Sequence, residues 1–191
     1  DWNEIQKAGG PHQNPESPAR YMKRVQEITY ELKAGSGWTL AEGSQGKFYV
    51  QKNGEYKNGN NFTPAPVYLI YYYNSKGELM NGQFVENGQE NIHQHFFTPE
   101  NVRPTFDGKP EADDNDPEAL VDYLYVDTTP WDKTKHDNEA EITGGTNPVG
   151  LKGVIRFLKD RKEFDLKLRL YHGYNSKKNP QTNGFDPFYK P

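Results

Sequence analysis

The segment FDLKLRLYH, residues 164–172, alternates apolar and polar side chains over most of its length. Because successive side chains of a β-strand point to opposite faces, this alternation is typical of a strand with one face on a core. Four apolar side chains would share that face: Phe164, Leu166, Leu168 and Leu170. The segment GVIRFL, residues 153–158, also has a strand-like composition, and the charged residues KDRKE separate the two. The sequence therefore predicts that they form a β-hairpin.

Strand-like segments separated by turn residues recur along the rest of the chain, which contains 18 Gly and 14 Pro. Aromatic residues make up 14% of the sequence, which is more than disordered chains usually carry. Further strands are predicted at residues 28–32, 47–51, 67–73, 83–86, 92–98 and 120–129. The most apolar of these, residues 67–73, is expected to be a central strand covered on both faces.

These segments do not alternate with helices, so the sequence predicts an all-β fold. An antiparallel two-sheet β-sandwich, immunoglobulin-like or related, is the expected architecture, and a β-barrel is the alternative. Residues 1–20 are polar with several Gly and Pro, which predicts a flexible N-terminal tether. Residues 21–191 are expected to form a single domain, with long loops at 99–119 and 130–150.

The charge pattern and the amino-acid usage exclude several classes of function. The net charge is −4 with both signs mixed along the chain, so nucleic acid is not an expected partner. There is no apolar run long enough to span a bilayer, so contact with a membrane would require a lipid anchor. The chain has no cysteine, which excludes disulfides, thiolate metal sites and cysteine nucleophiles.

The sequence IHQHFF places two histidines, His93 and His95, two residues apart in a predicted strand. Both imidazoles would project from one face, and His172 at the end of the last strand could reach the same rim. Neutral imidazoles are ligands for transition metals and haem iron, so we expect that these three residues could bind such a cofactor. The alternative is a hydrogen-bonded or surface pair without a metal.

Two other sets of residues are candidate ligands. The acidic segment 107–122 offers hard oxygen ligands for calcium, although a solvated loop is the alternative; the candidates are Asp107, Asp113, Asp114 and Asp116. Aromatic planes beside polar side chains are common on sugar-binding surfaces, although tyrosines in strands usually serve packing; the candidates are Tyr123, Tyr125 and Trp131.

Nothing in the spacing of the acids, serines or histidines matches a nucleophile elbow, a phosphate-binding loop or a zinc-protease motif. We therefore expect a protein that is not an enzyme.

The segments ENIHQHFF, NPVGLKGVIRF and LRLYHGYNSKKN, together with the Pro- and Gly-containing start, resemble small surface lipoproteins of Bacteroidota. Some of these are associated with TonB-dependent outer-membrane transporters. The resemblance implies an exported, lipid-anchored binding protein that captures a metal, haem or another nutrient, or docks on the transporter or another cell-surface protein. An accessory subunit of a surface complex and a glycan-binding or glycan-active protein are the alternatives.

Overall fold

The computed structural model describes residues 25–53, 65–135 and 138–190, so the predicted tether at 1–20 lies outside the described residues. The chain divides into two compact units, Asp1–Gln51 and Lys52–Pro191. No helix in the described part of the chain has the length and apolarity needed to cross a bilayer.

In the described residues of the first unit, strands β1 (Tyr30–Lys33) and β2 (Gly37–Leu40) form an antiparallel hairpin. Gly35 and Gly37 have φ angles of 77° and 72° at its turn, a conformation that glycine adopts without a steric penalty. Strand β1 overlaps the predicted strand at 28–32. The strand predicted at 47–51 is not formed.

The described strands of the second unit are β3 (Val67–Leu69), β4 (His93–Pro104), β5 (Val121–Tyr125), β6 (Thr128–Thr129), β7 (Glu141–Ile142), β8 (Lys152–Phe157) and β9 (Lys162–His172). They form three small antiparallel sheets with strand orders β3-β8-β5, β4-β9 and β6-β7. Its described helices are the 3-10 turns Asn81–Phe84 and Gln89–Asn91 and the α-helical turn Pro117–Leu120. The prediction of a mostly β protein is confirmed, and no described sheet closes into a barrel.

The predicted hairpin of residues 153–158 and 164–172 is wrong in its pairing. Both strands exist, but β8 pairs with β3 and β5, whereas β9 pairs with β4 over almost its whole length. The alternation in β9 specifies which side chains share a face, but it does not specify which strand lies beside it. The turn between β8 and β9 therefore carries the chain from one sheet to another.

Strand β4 runs on to Pro104, so the prediction that Pro99 ends it and starts a long loop is wrong. The backbone N–H groups of His95 and Phe97 donate to Val149 O and Phe188 O, on the side away from β9. Residue 99 has the same orientation in the strand, so a proline there removes no hydrogen bond from the ladder with β9. The second predicted loop, 130–150, contains the short strand β7.

The segment 67–73 is also not a central strand. Strand β3 covers only its first three residues and forms the edge of its sheet. Val67 and Tyr73 are 63% and 60% exposed, whereas Ile70 is 9% exposed, so one face of the segment meets solvent. Residues 83–86, also predicted as a strand, overlap a 3-10 turn.

The core of the second unit lies around Phe97 of β4 and Tyr123 of β5, whose rings stack with centroids 4.1 Å apart. The buried apolar cluster consists of Ile70, Phe97, Leu120, Val121, Tyr123, Val149, Leu151 and Ile155. Residues 173–190, here called the C-terminal segment, run beside β4: Phe188 O accepts from Phe97 N at 2.6 Å, and Tyr189 O accepts from Thr98 Oγ1 at 2.7 Å. This segment brings polar side chains to the start of β4.

Candidate functional site

His95 is completely buried, and both of its ring nitrogens have partners within the protein. Nδ1 lies 2.7 Å from Val149 O, and Nε2 lies 2.9 Å from the hydroxyl of Tyr72. A carbonyl oxygen only accepts, so Nδ1 carries the proton and Nε2 accepts from Tyr72. Burial lowers the pKa of His95 to about 4. This neutral imidazole joins three segments of the fold and has no nitrogen left for a metal ion.

His93 and His172 are a cross-strand pair whose ring centroids are 4.4 Å apart. His93 Nδ1 donates to Gln89 O at 2.9 Å, and burial lowers its pKa. The structure thus brings together two of the three predicted histidine ligands. Within the described residues, the histidines do not form a group of three spaced to hold a metal ion.

The four aspartates predicted to bind calcium do not all meet at one place. Asp107 pairs with Arg161 at 3.2 Å, and Asp116 caps the turn Pro117–Leu120 by accepting from Glu118 N at 3.0 Å. Only Asp113 and Asp114 come together, and Glu111 joins them as the third acid.

Two lysines of the β8–β9 region neutralise that acidic group. Lys159 Nζ contacts Glu111 at 3.1 Å and also pairs with Asp113, while Lys162 Nζ lies 2.8 Å from Asp114. The side chain of Lys162 is 3% exposed. Hydrogen bonds from these lysines lower the pKa of all three carboxyl groups. The described contacts are those of an ion-pair network that fastens the acidic loop to the start of β9.

The predicted aromatic ligand residues pack inside the protein or beside a very small cavity. Tyr123 stacks on Phe97, and burial raises the pKa of its hydroxyl. The Tyr125 hydroxyl donates to His95 O at 2.6 Å. Trp131 lines a cavity of about 10 Å³, which is the size of a single water. These contacts support packing roles for the two tyrosines.

Asp127 is a buried carboxylate within the predicted strand 120–129, and the sequence pattern indicated no role for it. Its Oδ2 accepts from the backbone N–H groups of Val149 and Gly150 at 3.0 and 2.8 Å, and its Oδ1 accepts from those of Leu151 and Lys152 at 2.9 and 3.1 Å. One carboxylate therefore holds the whole turn that leads into β8. An acidic residue within a predicted strand, in the segment YVDTT, was the signal that could have drawn attention to it.

Lys177 is a second buried charge that the sequence pattern did not single out. It is 5% exposed, and its Nζ donates to His93 O at 3.1 Å and to Pro148 O. Burial lowers its pKa to about 8, so the ammonium is mostly protonated at neutral pH. Lys177 thus fastens the C-terminal segment to β4 and to the turn before β8.

A polar cleft of about 170 Å³ lies beside Lys177 on the surface of the second unit, and here it is called the polar cleft. Its lining residues are Asn91, Thr146, Asn147, Ser176, Lys178 and Phe185. Asn147 Nδ2 donates to Asn91 Oδ1 at 3.2 Å, which links the two sides of the cleft. Amides, hydroxyls, one ammonium and one aromatic ring therefore meet at one place, which makes this cleft the best candidate for a binding site among the described residues.

Searches against protein-family models, curated proteins and solved structures returned no significant match. The assignment of a function therefore depends on the geometry of the cleft.

Proposed function

We propose that this chain is a non-enzymatic binding protein that takes a small, polar, hydroxyl-rich ligand in the polar cleft. The observation that carries the proposal is the linked pair Asn91 and Asn147 beside the ring of Phe185. Amide groups donate and accept at the same time, as the hydroxyls of a sugar or polyol require. An aromatic ring supplies an apolar surface for the C–H face of such a ligand.

The size and the chemistry of the cleft support binding of one small unit. A volume of about 170 Å³ is below the range of roughly 300 to 1,000 Å³ that is usual for drug-sized ligands. The described lining residues include no carboxylate and no imidazole that could serve as a general acid or base. Both features favour capture of a single ring, or of the end of a longer chain, over catalysis.

The proposal extends to the setting of the protein. The resemblance of its segments to surface lipoproteins supports an exported protein, held at the outer membrane by a lipid anchor, that delivers its ligand to a transporter. Labelling of intact producing cells with an antibody to this chain tests the surface location, because an internal protein would be labelled only after lysis.

The contact between Phe97 of β4 and Tyr123 of β5 supports a sandwich-like packing of the two larger sheets.

The binding proposal is tested by NMR spectroscopy of the ¹⁵N-labelled protein during titration with a panel of monosaccharides. We expect a ligand to shift the side-chain amide signals of Asn91 and Asn147, and we expect Phe185→Ala to abolish those shifts. Tyr174→Ala is the matched control, because Tyr174 lies in the same C-terminal segment, is fully exposed and does not line the cleft. A panel that leaves both amide signals unmoved at millimolar concentration, where even weak sugar sites bind, would contradict the proposal.

A further inference from the structure

The charge that lines the polar cleft is positive. Lys178 is its charged lining residue, and the described part of the lining contains no acid. The Lys178 ammonium lies 5.7 Å from the centroid of the Phe185 ring, within the range of a cation–π contact. None of the ion pairs found in the described residues involves Lys178, so its ammonium has no carboxylate partner among them.

A second ammonium also lies close to the Phe185 ring. Lys177 Nζ is 5.4 Å from the Phe185 centroid and is held by His93 O and Pro148 O. Because Lys177 is buried, its charge is screened less by solvent than the charge of a surface lysine. Asp127 and Glu90 interact with this ammonium, and Glu90 also accepts a hydrogen bond from Asn91 Nδ2 at 3.1 Å. Neither acid lines the cleft.

The polar groups of the cleft are fixed by contacts within the protein. Ser176 Oγ accepts from Lys178 N at 3.1 Å, which orients the residue that carries the ammonium. Thr146 Oγ1 donates to Thr143 O at 3.1 Å, beside the linked amides of Asn147 and Asn91. A preorganised set of this kind loses little entropy when it binds a ligand.

We propose that the ligand of the polar cleft is an acidic monosaccharide unit, such as a uronic acid, with its carboxylate on Lys178 and its ring on Phe185. The amides of Asn91 and Asn147 then bind the ring hydroxyls. This inference rests on the proposed function, because it names the class of ligand for the same site. A neutral sugar would leave the ammonium unused, and a simple anion would leave the ring of Phe185 and the two amides unused.

Calorimetric titration of the whole chain with three probes separates these ligand classes: galacturonic acid, its neutral methyl ester and inorganic phosphate. We expect galacturonic acid to bind about tenfold or more tightly than the ester, which is the order of one charge-assisted hydrogen bond. Lys178→Met should remove that difference, and Lys178→Arg should restore most of it. Lys190→Met is the matched control, because Lys190 lies in the same segment and does not line the cleft.

The other outcomes overturn the inference in distinguishable ways. Equal affinity for the acid and its ester, with both lost in Phe185→Ala, would keep the proposed binding function and overturn the acidic ligand class. Phosphate that binds as tightly as galacturonic acid would show a general anion site and overturn the sugar. A chain that binds none of the three probes, while its circular dichroism spectrum shows the expected β fold, would overturn the inference. The NMR titration with the panel of monosaccharides then decides separately whether the proposed binding function stands.

Discussion

Replacing Asp127 by asparagine tests the turn that leads into β8. The carboxylate accepts four backbone N–H groups at 2.8 to 3.1 Å, two on each oxygen. Asparagine keeps one oxygen for two of them and presents an amide NH₂ to the other two. Each of these two donors loses its acceptor in a buried site, at about 1 to 3 kcal/mol per group. We therefore expect Asp127→Asn to lower the free energy of unfolding by about 2 to 6 kcal/mol.

A loss of this size is a large fraction of the total stability of a small protein, which is about 5 to 15 kcal/mol. Urea unfolding followed by near-ultraviolet circular dichroism measures it, because Tyr123 and its aromatic neighbours lie in the affected unit. Asp160→Asn makes the same change in charge at an exposed residue and should alter stability by less than about 0.5 kcal/mol.

Hydrogen exchange gives a second readout for this prediction. The amides of residues 149–152 should lose protection in Asp127→Asn, even under conditions in which most of the protein stays folded. An Asp127→Asn variant that unfolds within about 1 kcal/mol of the parent, with these amides still protected, would refute the reasoning.

Three further predictions concern other titratable side chains. The pKa of His95 is lowered to about 4 from 6.5, so between these pH values the unfolded chain binds a proton that the folded chain does not. The free energy of unfolding should therefore fall by up to about 3 kcal/mol as the pH drops through that range. Urea midpoints measured against pH for the parent and for His95→Gln test this, and an equal pH dependence in the two proteins would contradict the prediction. The pKa of Lys177 is lowered to about 8 from 10.5, so between these pH values the folded chain has released a proton that the unfolded chain still binds. The free energy of unfolding should therefore rise as the pH rises from 8 to 10.5. This rise should be missing in Lys177→Met, and a variant with the same pH dependence as the parent would argue against a buried ammonium. Lys162→Met should lower the urea midpoint, because it removes the ammonium that lies 2.8 Å from the largely buried carboxylate of Asp114. Lys167→Met, at an exposed ion pair, should lower the midpoint by less in the same assay, and equal changes in the two variants would contradict this prediction.

The candidate site illustrates why local sequence patterns give residue types but not roles. His93 and His95 are spaced for one face of a strand, and the sequence predicted that strand. Their chemistry differs because Val149, 54 residues away along the chain, and Tyr72, 23 residues away, occupy both nitrogens of His95. The polar cleft likewise combines three separate parts of the chain, around residues 91, 147 and 178. No local spacing indicates such a combination.

The sequence by itself determined that this chain is mostly β, because side-chain alternation has the same period as the strand backbone. The prediction that one face of β9 lies on a core holds only for its first half: Phe164 and Leu166 pack against the core, whereas Leu168 and Leu170 are 39% and 41% exposed. It also indicated where several strands lie. The tertiary structure alone decided that β8 and β9 belong to different sheets, that Pro99 lies inside a strand, and that Asp127 and Lys177 are buried. The physical reason is that strand partners and buried charges depend on contacts between residues far apart in sequence, which are selected by packing and by the need of each buried polar group for a partner.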